Sequence, residues 1–438
     1  MKYKRILSVF LAVMILVVSI PFSVSATTIT GVTADGLHYE CSTITEEVTI
    51  TGYTGESLIV TIPNEIECYP VTAIGENAFM SKDITEINFP DTLRYIAPYA
   101  FRYCYQLKSL IFPGSLEIID EYSFEGCYGI EELFIPKSVT FFSSYIFTHS
   151  LKYAKITVDS ENLYYYSKDN CIITKDTNAL LLAGKCDSIP DGIEIISANA
   201  FASSNNLDVL EIPSSVTFIG TGAFAFSTLR EITLHDGVEY ISEAAFTSTC
   251  LESITMTDSV KYIGTAAFDR CYITEIKLPT ELTVISEKMF SMCFDLKNVV
   301  LPENVEEIRS GAFSWCKSLE FVVIPKSVKN IDADAFITCD SLKTIYYCGT
   351  EAEWNAISIH STNKTVFSDV DIVFEYKLDK NGDIDSDGEI SANDILVMRK
   401  YLAKMVIDAD INVSHADING DGRINAKDLL ELRRMLAA

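Results

Sequence analysis

The sequence predicts a β-rich solenoid built from 22–23-residue coils, followed by a small all-α domain near the C-terminal end. Two observations lead to this class. Phenylalanine recurs at intervals of 22 or 23 residues through most of the chain, each time within the same apolar pattern. The segment from residue 377 onward lacks that pattern and contains two similar acidic loops, each followed by a stretch with helical periodicity. A chain of 438 residues is long enough for two such domains.

Residues 1–26 have the pattern of a secretory signal peptide. A short basic start precedes an apolar run over 6–20, and small residues occupy 24–26. The pattern predicts cleavage before Thr27 and an exported protein. An uncleaved membrane anchor is the alternative, for which the run is short. No other stretch approaches the roughly 18 apolar residues of a spanning helix, so we expect no membrane span after cleavage.

Each coil follows the pattern of LEFVVIPKSVKNIDADAFITC (319–339). Val322 and Ile324 alternate with other residues and predict a short strand, which Pro325 ends because proline cannot donate to a strand ladder. Ile331 and Phe336 then point inward on the return leg. One coil cannot bury its own apolar edge, so the coils must stack on each other. The repeat phenylalanines are Phe79, Phe101, Phe124, Phe147, Phe201, Phe224, Phe246, Phe268, Phe290, Phe313 and Phe336.

One interval in this series is 54 residues long, between Phe147 and Phe201. Within it, two strand-like stretches flank a Lys-Asp-Thr-Asn turn at 175–178, which predicts an inserted hairpin near 161–186. The run Tyr164, Tyr165 and Tyr166 has two interpretations. The rings suit stacking on sugars, or they pack as ordinary strand residues.

Six of the twelve cysteines lie three residues after a repeat phenylalanine. They are Cys104, Cys127, Cys271, Cys293, Cys316 and Cys339. Serine takes the same position elsewhere, at Ser150, Ser204 and Ser227. A position shared by cysteine and serine predicts a small buried site and not a disulfide framework. Cys171 and Cys186 lie outside this series, and whether they pair is open.

The repeat over about residues 40–375 resembles the BspA-like leucine-rich repeats of secreted bacterial proteins. The resemblance implies a solenoid whose exposed ends are capped. Residues 27–78 would then form the N-terminal cap, 79–348 the repeats, and 349–376 the C-terminal cap and linker, with Trp354 as an apolar plug.

Composition and motifs exclude several functions. A net charge of −27 repels nucleic acid and anionic lipid. The five histidines are scattered, and no nucleophile elbow, zinc-protease motif or phosphate-binding glycine loop is present. The repeats also leave no space for a catalytic domain. We therefore expect no enzyme activity.

Two twelve-residue segments, DIDSDGEISAND (383–394) and DINGDGRINAKD (417–428), have the spacing of calcium loops. Oxygen ligands are expected at positions 1, 3, 5, 7, 9 and 12 around a glycine at position 6, with position 7 acting through its carbonyl. The predicted ligands are Asp383, Asp385, Asp387, Glu389, Ser391 and Asp394, then Asp417, Asn419, Asp421, Arg423, Asn425 and Asp428. Two copies in register predict two Ca²⁺ ions, whereas one such loop alone could be a solvated turn.

No entering helix is expected before either loop, and both loops close with aspartate. These two EF-hand-like loop–helix motifs, in residues 377–438, resemble a type I dockerin. The resemblance implies calcium-dependent docking onto a scaffoldin cohesin module, as in cellulosomes. In that family, loop positions 10 and 11 and a basic pair early in the helix contact the partner. The matching residues are Ala392, Asn393, Arg399, Lys400, Ala426, Lys427, Arg433 and Arg434.

Two points stay open for this segment. The Ser-Thr pair familiar in that family is absent, so the type of cohesin is not defined. The basic pairs could also be a solvated helix face that interacts with the helix dipole.

Together these features predict a secreted, non-catalytic, cellulosome- or cell-surface-associated protein. Its solenoid would present a protein- or polysaccharide-binding surface during plant polysaccharide degradation. The alternatives are an accessory enzyme of polysaccharide catabolism and a surface calcium-sensing adhesin. The ligand of the repeats is not identified by any motif.

Overall fold

The computed structural model describes residues 28–143, 145–147, 150, 154–205, 207–376, 384, 392–404, 416, 418 and 424–435, without the side chains of 392 and 393. The predicted signal peptide and Thr27 lie outside these residues. Within the described part of the chain, no helix combines the length and the apolar character needed to cross a membrane.

Most coils contribute one strand to each of two faces, and neighbouring strands within both faces run parallel. The long-strand face contains β4 (Ile59–Thr61), β7 (Glu86–Asn88), β9 (Ser109–Ile111), β11 (Glu132–Ile135), β13 (Lys155–Val158), β18 (Val209–Ile212), β20 (Glu231–Leu234), β22 (Ser253–Thr255), β25 (Asn298–Val300), β27 (Phe321–Ile324), β29 (Thr344–Tyr347) and β31 (Asp371–Val373).

The short-strand face contains β6 (Tyr69–Ile74), β8 (Tyr95–Ile96), β10 (Ile118–Ile119), β12 (Phe141–Phe142), β17 (Ile195–Ile196), β19 (Phe218–Ile219), β21 (Tyr240–Ile241), β23 (Tyr262–Ile263), β24 (Val284–Ile285), β26 (Glu307–Ile308), β28 (Asn330–Ile331) and β30 (Ser358–Ile359). Equivalent residues of successive coils are in register, as Leu210, Ile232 and Ile254 are on the long-strand face. The predicted solenoid of stacked coils is therefore confirmed.

The phenylalanine ladder forms the centre of the third side of each coil, a turn segment between the two faces. All eleven ladder side chains are buried. Successive rings stack with centroids 4.9–5.5 Å apart, from Phe79 to Phe147 and from Phe201 to Phe336. The backbone is also linked between coils, since the Phe224 N–H donates to the Ala245 carbonyl at 2.8 Å. Ring stacking and backbone hydrogen bonds thus join each coil to the next.

Both ends of the solenoid are covered. At the N-terminal end, β1 (Thr28–Val32), β2 (Leu37–Ser42) and β3 (Glu47–Tyr53) form an antiparallel meander, and β3 then pairs in parallel with β6. The short strand β5 (Glu65–Ile66) pairs antiparallel with β6. At the C-terminal end, α1 (Glu351–Ala356) and α2 (Ser361–Phe367) cover the last coils. Trp354 of α1 is buried against Tyr347 and Phe367, as an apolar plug would be.

The predicted insertion is a second cap inside the solenoid. It consists of β14 (Tyr165–Lys168), β15 (Cys171–Thr174) and β16 (Ala179–Ala183), which pair antiparallel in that order. Then β16 pairs in parallel with β17. The order repeats the topology of the N-terminal cap, in which the third antiparallel strand begins a parallel sheet. We call β14–β16 the internal cap.

The apolar core is divided at the internal cap. One buried cluster extends from Leu37 to Leu182, and a second from Cys171 to Phe367. Successive residues of β15 alternate between them, because Ile172 belongs to the first cluster and Ile173 to the second. We call this boundary the seam.

The side chains of Tyr164, Tyr165 and Tyr166 do not share one surface. Tyr165 is buried and its hydroxyl donates to the Thr140 carbonyl at 3.3 Å. Tyr166 packs partly buried against the second core cluster, while Tyr164 is half exposed. A three-ring platform for sugars is therefore wrong, and packing is the main role of this run.

The six cysteines of the ladder are free and buried, so the predicted small buried site is confirmed. Each thiol donates to the carbonyl of the ladder phenylalanine one coil earlier, at 3.0–3.2 Å. Ser150 makes the same hydrogen bond to Phe124 at 2.5 Å. At Ser150, serine therefore supplies the same hydrogen-bond donor as cysteine, whereas the buried Ser227 hydroxyl has no such partner.

These buried thiols should make the protein sensitive to alkaline pH. Burial raises the pKa of Cys104, Cys271 and Cys339 to about 12. In the unfolded chain a thiol titrates near pH 8.5. Above that pH the unfolded chain binds fewer protons than the native protein, so the free energy of unfolding falls as pH rises towards 12. It is unaffected below about pH 8. Each such thiol contributes up to about 1.4 kcal/mol per pH unit.

Urea unfolding at pH 8 and pH 10 measures this effect. Cys271→Ser, which keeps a hydrogen-bond donor, is expected to lose stability less steeply with pH than the unsubstituted protein. Cys250→Ser is the control, because Cys250 is exposed. Equal slopes for all three proteins would contradict the expected role of the buried thiol.

Candidate calcium and partner-binding site

Most of the predicted calcium ligands fall outside the part of the chain that the structure describes. These are Asp383, Asp385, Asp387, Glu389, Ser391, Asp417, Asn419, Asp421 and Arg423. The described ligands are Asp394 in the first loop and Asn425 and Asp428 in the second. Among described residues, no group of three or more His, Cys, Asp or Glu side chains could hold a metal ion.

The two loop-closing carboxylates occupy equivalent places. Asp394 lies in the first turn of α3 (Ala392–Leu402), and Asp428 in the first turn of α4 (Ala426–Met435). Both are fully buried. Asp394 Oδ1 accepts from the Ile384 N–H at 2.7 Å, and Asp428 Oδ2 accepts from the Asn425 N–H at 2.8 Å. Each carboxylate therefore holds the loop backbone against the start of its helix by a hydrogen bond.

The burial of these carboxylates fits a calcium site. A buried carboxylate is costly unless hydrogen bonds and a nearby positive charge compensate for lost hydration. The backbone amides supply hydrogen bonds, and a hard divalent cation bound by oxygen ligands would supply the charge. Asn425 Oδ1 accepts from the Lys427 N–H at 2.9 Å, which orients that side chain at the end of the second loop.

The two copies share a small apolar core. Ile384, Met398, Ala416 and Leu432 are fully buried, and Ile395 packs against this cluster. One face of each helix therefore contributes to this core. Leu402, Ile424 and Leu429 are also partly buried against it.

The predicted partner-binding residues are on the surface where they are described. Arg399, Lys400, Ala426, Lys427, Arg433 and Arg434 are exposed. Ala392 and Asn393 begin α3, and their side chains are not among those described. The basic pairs lie in the last turn of each helix, not early in it as the sequence suggested. In that position they also interact favourably with the helix dipole.

A second candidate site, on the solenoid, was not predicted from the sequence. Its side chains form a continuous series of ring contacts that we call the tyrosine cluster. The cluster consists of Tyr99, Arg102, Tyr103, Tyr105, Tyr122, Tyr128 and Tyr145. Tyr99, Tyr122 and Tyr145 pack in a row at 5.4 and 5.3 Å, and Tyr103, Tyr105 and Tyr128 stack at 5.9 and 5.7 Å.

Arg102 joins the two rows of tyrosines. Its guanidinium lies 5.2 Å from the Tyr99 ring centroid and 4.5 Å from that of Tyr103. It also forms an ion pair with the nearly buried Glu125 at 2.6 Å. Tyr105 and Tyr128 are 48% and 57% exposed, so the cluster offers aromatic surface to a ligand. The 23-residue spacing of its tyrosines was the available sequence signal.

Comparison with family models identifies both parts of the chain. Residues 72–178, 186–293 and 239–365 match the BspA type leucine rich repeat region, in six copies. Residues 381–437 match the type I dockerin domain. The repeat matches cover more than half of the chain. No curated protein sequence matches it.

Solved structures of bacterial leucine-rich repeat proteins are similar to this chain. One from Eubacterium ventriosum is 22% identical, with a TM-score of 0.52, over 77% of this chain and 94% of that one. A leucine-rich cell surface protein from Faecalibacterium prausnitzii is 22% identical, with a TM-score of 0.40, over 77% and 99%. One from Bacteroides ovatus is 21% identical, with a TM-score of 0.42, over 81% and 100%. The Eubacterium ventriosum structure supports the same fold for this chain.

Proposed function

This chain belongs to the family with a BspA type leucine-rich repeat region, and from that membership and its type I dockerin domain we propose that it is a secreted, non-catalytic component of a cellulosome. A type I dockerin implies cohesin binding and cellulosome association, and a leucine-rich-repeat solenoid is a scaffold for protein interaction. Both modules are typical of extracellular or cell-surface proteins. In this proposal, residues 27–376 form the capped solenoid and 377–438 the docking domain.

The single observation that supports docking best is the equivalence of the two loop–helix copies. Asp394 and Asp428 are buried alike, and each accepts a hydrogen bond from a loop amide. Type I dockerins generally bind calcium. We propose two Ca²⁺ ions, one in each loop, held by the twelve ligands predicted from the sequence. Bound calcium would neutralise the clustered carboxylates and so stabilise the loops against mutual repulsion.

The basic pairs at the two helix ends are proposed to contact cohesin. Because the copies are equivalent, either helix can make the contact in one of two orientations. Replacing Arg399 and Lys400 by alanine should therefore reduce cohesin affinity only a few-fold, since the second copy remains. Replacing all four, with Arg433 and Arg434, should weaken it by about 2–4 kcal/mol, the scale of lost interface contacts.

Calorimetric titration of the full chain with purified type I cohesins, in calcium and in EDTA, measures these affinities. The control is Lys326→Ala with Lys329→Ala, which removes two basic side chains of the solenoid and should leave affinity unchanged. No binding to any cohesin, or equal binding in EDTA, would refute the proposed function. Full affinity after replacement of all four would leave docking intact and exclude only the basic pairs.

The tyrosine cluster is the proposed binding surface of the solenoid, and a neutral plant polysaccharide is its proposed ligand. Aromatic rings with hydroxyl groups suit sugar rings, which combine apolar faces with polar edges. The net charge of −27 disfavours polyanionic polymers.

Affinity electrophoresis of the full chain in gels containing xylan or glucomannan tests this assignment. Changing Tyr105 and Tyr128 to alanine should abolish retardation, while Tyr164→Ala, half exposed elsewhere, should preserve it. Unchanged migration of the unsubstituted protein in these gels would exclude these polysaccharides as ligands and favour a protein ligand. Release of reducing sugars by the chain would contradict the non-catalytic assignment.

A further inference from the structure

We propose that Cys171 and Cys186 form a site of covalent modification: a disulfide oxidant links them, and the bond locks the internal cap at the seam. The two sulfur atoms are 3.6 Å apart and both side chains are buried. This arrangement differs from the cysteines of the ladder, whose thiols donate to phenylalanine carbonyls. Here the Cys171 thiol donates to the Cys186 sulfur, the Cys186 thiol donates to the Ser188 carbonyl at 2.6 Å, and both residues are free in the structure.

The backbone on both sides of the pair is held in place by Asn170. Its carbonyl accepts from the Gly184 N–H at 3.0 Å, and its Nδ2 donates to the Lys185 carbonyl at 3.2 Å. Asn170, which precedes Cys171, is therefore hydrogen-bonded to Gly184 and Lys185, which precede Cys186. Because the two segments are fixed together, the sulfurs need to approach by only about 1.5 Å to reach the bond length of a disulfide.

The same asparagine shows why the seam benefits from a covalent bond. Strand β13 is the last strand of its sheet, and no further strand of the described residues is hydrogen-bonded to its outer edge. Side chains of the internal cap accept hydrogen bonds from the backbone N–H groups of this edge instead. Asn170 Oδ1 accepts from the Ile156 N–H at 2.7 Å, and Ser167 Oγ accepts from the Val158 N–H at 3.1 Å. The seam therefore replaces a continuous backbone ladder with a few side-chain hydrogen bonds.

The reaction is an ordinary thiol–disulfide exchange. Cys186 is the more exposed partner, and the hydrogen bond from the Cys171 thiol lowers the pKa of Cys186. Its thiolate attacks the oxidant's S–S bond, forms a mixed disulfide and releases one thiol. Cys171 then loses its proton and attacks Cys186 Sγ, which releases the second thiol. The pair loses two electrons and two protons, and the oxidant is reduced to two thiols.

The bond would close a short loop that contains β15 and β16. Cross-linking a loop of this length stabilises the native state chiefly by restricting the unfolded chain. For a solenoid of this size, the melting temperature should rise by about 5 °C. The stabilised segment includes Leu180 and Leu182, which belong to different core clusters, so the two clusters should separate less readily.

Treatment of the full chain with oxidised glutathione, then peptide mapping without reduction, tests the proposal. We expect one cross-linked peptide pair containing Cys171 and Cys186, and ten free thiols under denaturing conditions, because two of the twelve are consumed. Cys186→Ser should keep all eleven remaining thiols free, whereas Cys293→Ser should still form the bond. Melting curves of the oxidised and reduced protein measure the stabilisation.

Twelve free thiols after prolonged oxidation, or a bond to any other cysteine, would overturn the proposal. A bond without a rise in melting temperature would overturn the locking of the seam. The mapping of unsubstituted protein does not depend on whether Cys186→Ser folds. None of these results depends on cohesin or polysaccharide binding, so failure here is distinguishable from failure of the proposed function.

Discussion

Replacing Phe224 by alanine should lower the free energy of unfolding by about 3–5 kcal/mol, the cost of emptying a buried aromatic site. Phe224 is fully buried and stacks on Phe201 at 5.1 Å and on Phe246 at 5.2 Å. Removing its ring leaves a cavity and also removes two stacking contacts. Because a coil contacts only its neighbours, the loss should loosen the coils on both sides.

The same coil supplies a matched control two residues further on. Phe226 is 54% exposed, and its backbone N–H donates to the Thr247 carbonyl at 3.0 Å. Phe226→Ala keeps that hydrogen bond and should cost no more than about 1 kcal/mol. Urea unfolding followed by circular dichroism compares the two variants. Equal losses would show that the ladder does not dominate the core.

Replacing Asp394 or Asp428 by alanine should reduce the calcium affinity of the corresponding loop on the order of 100-fold or more. Even residues that only support metal ligands contribute 10–100-fold to affinity. Each carboxylate is the closing oxygen ligand of its loop in the proposed site. The double variant should therefore bind neither ion. Because metal binding and folding are coupled in such loops, it should also lose cohesin binding.

Isothermal titration of the full chain with Ca²⁺ measures the number of sites and their affinities. Asp394→Asn separates two effects, because asparagine can still accept the Ile384 N–H but carries no charge. If charge is what matters, this variant should lose calcium almost as fully as the alanine variant. Asp340→Ala, at an exposed turn of the solenoid, is the control. Undiminished binding after both loop-closing changes would refute the assigned ligands.

The features that repeat along the chain were the most predictable from its sequence. The spacing of phenylalanine predicted a buried ladder, and the exchange of cysteine and serine predicted a small buried site. Both are confirmed, because each coil meets the same environment and its requirements are copied along the chain. Trp354 was identified as a plug for a related reason, since a solenoid end must be covered.

Conformations that depend on a hydrogen bond to the next coil could not be predicted from the sequence. Two positions after a ladder phenylalanine the backbone has a positive φ angle. Glycine occupies this position at Gly126, but Tyr103, Phe226 and Trp315 have φ angles near 60° there without being glycine. Each donates its backbone N–H to the next coil, at 2.7–3.0 Å. Those hydrogen bonds offset a local strain of about 1–3 kcal/mol, so glycine is not required at this position and does not recur with the repeat.

The periodicity and the paired acidic loops were sufficient to establish the class of fold, the family of both modules and the chemistry expected of the tail. These are properties of local residue order, repeated often enough to be unambiguous. The internal cap, the divided core, the tyrosine cluster and the contact between Cys171 and Cys186 required the folded chain. Each depends on hydrogen bonds or side-chain contacts between segments distant in sequence, and those partners become neighbours only after the coils have stacked.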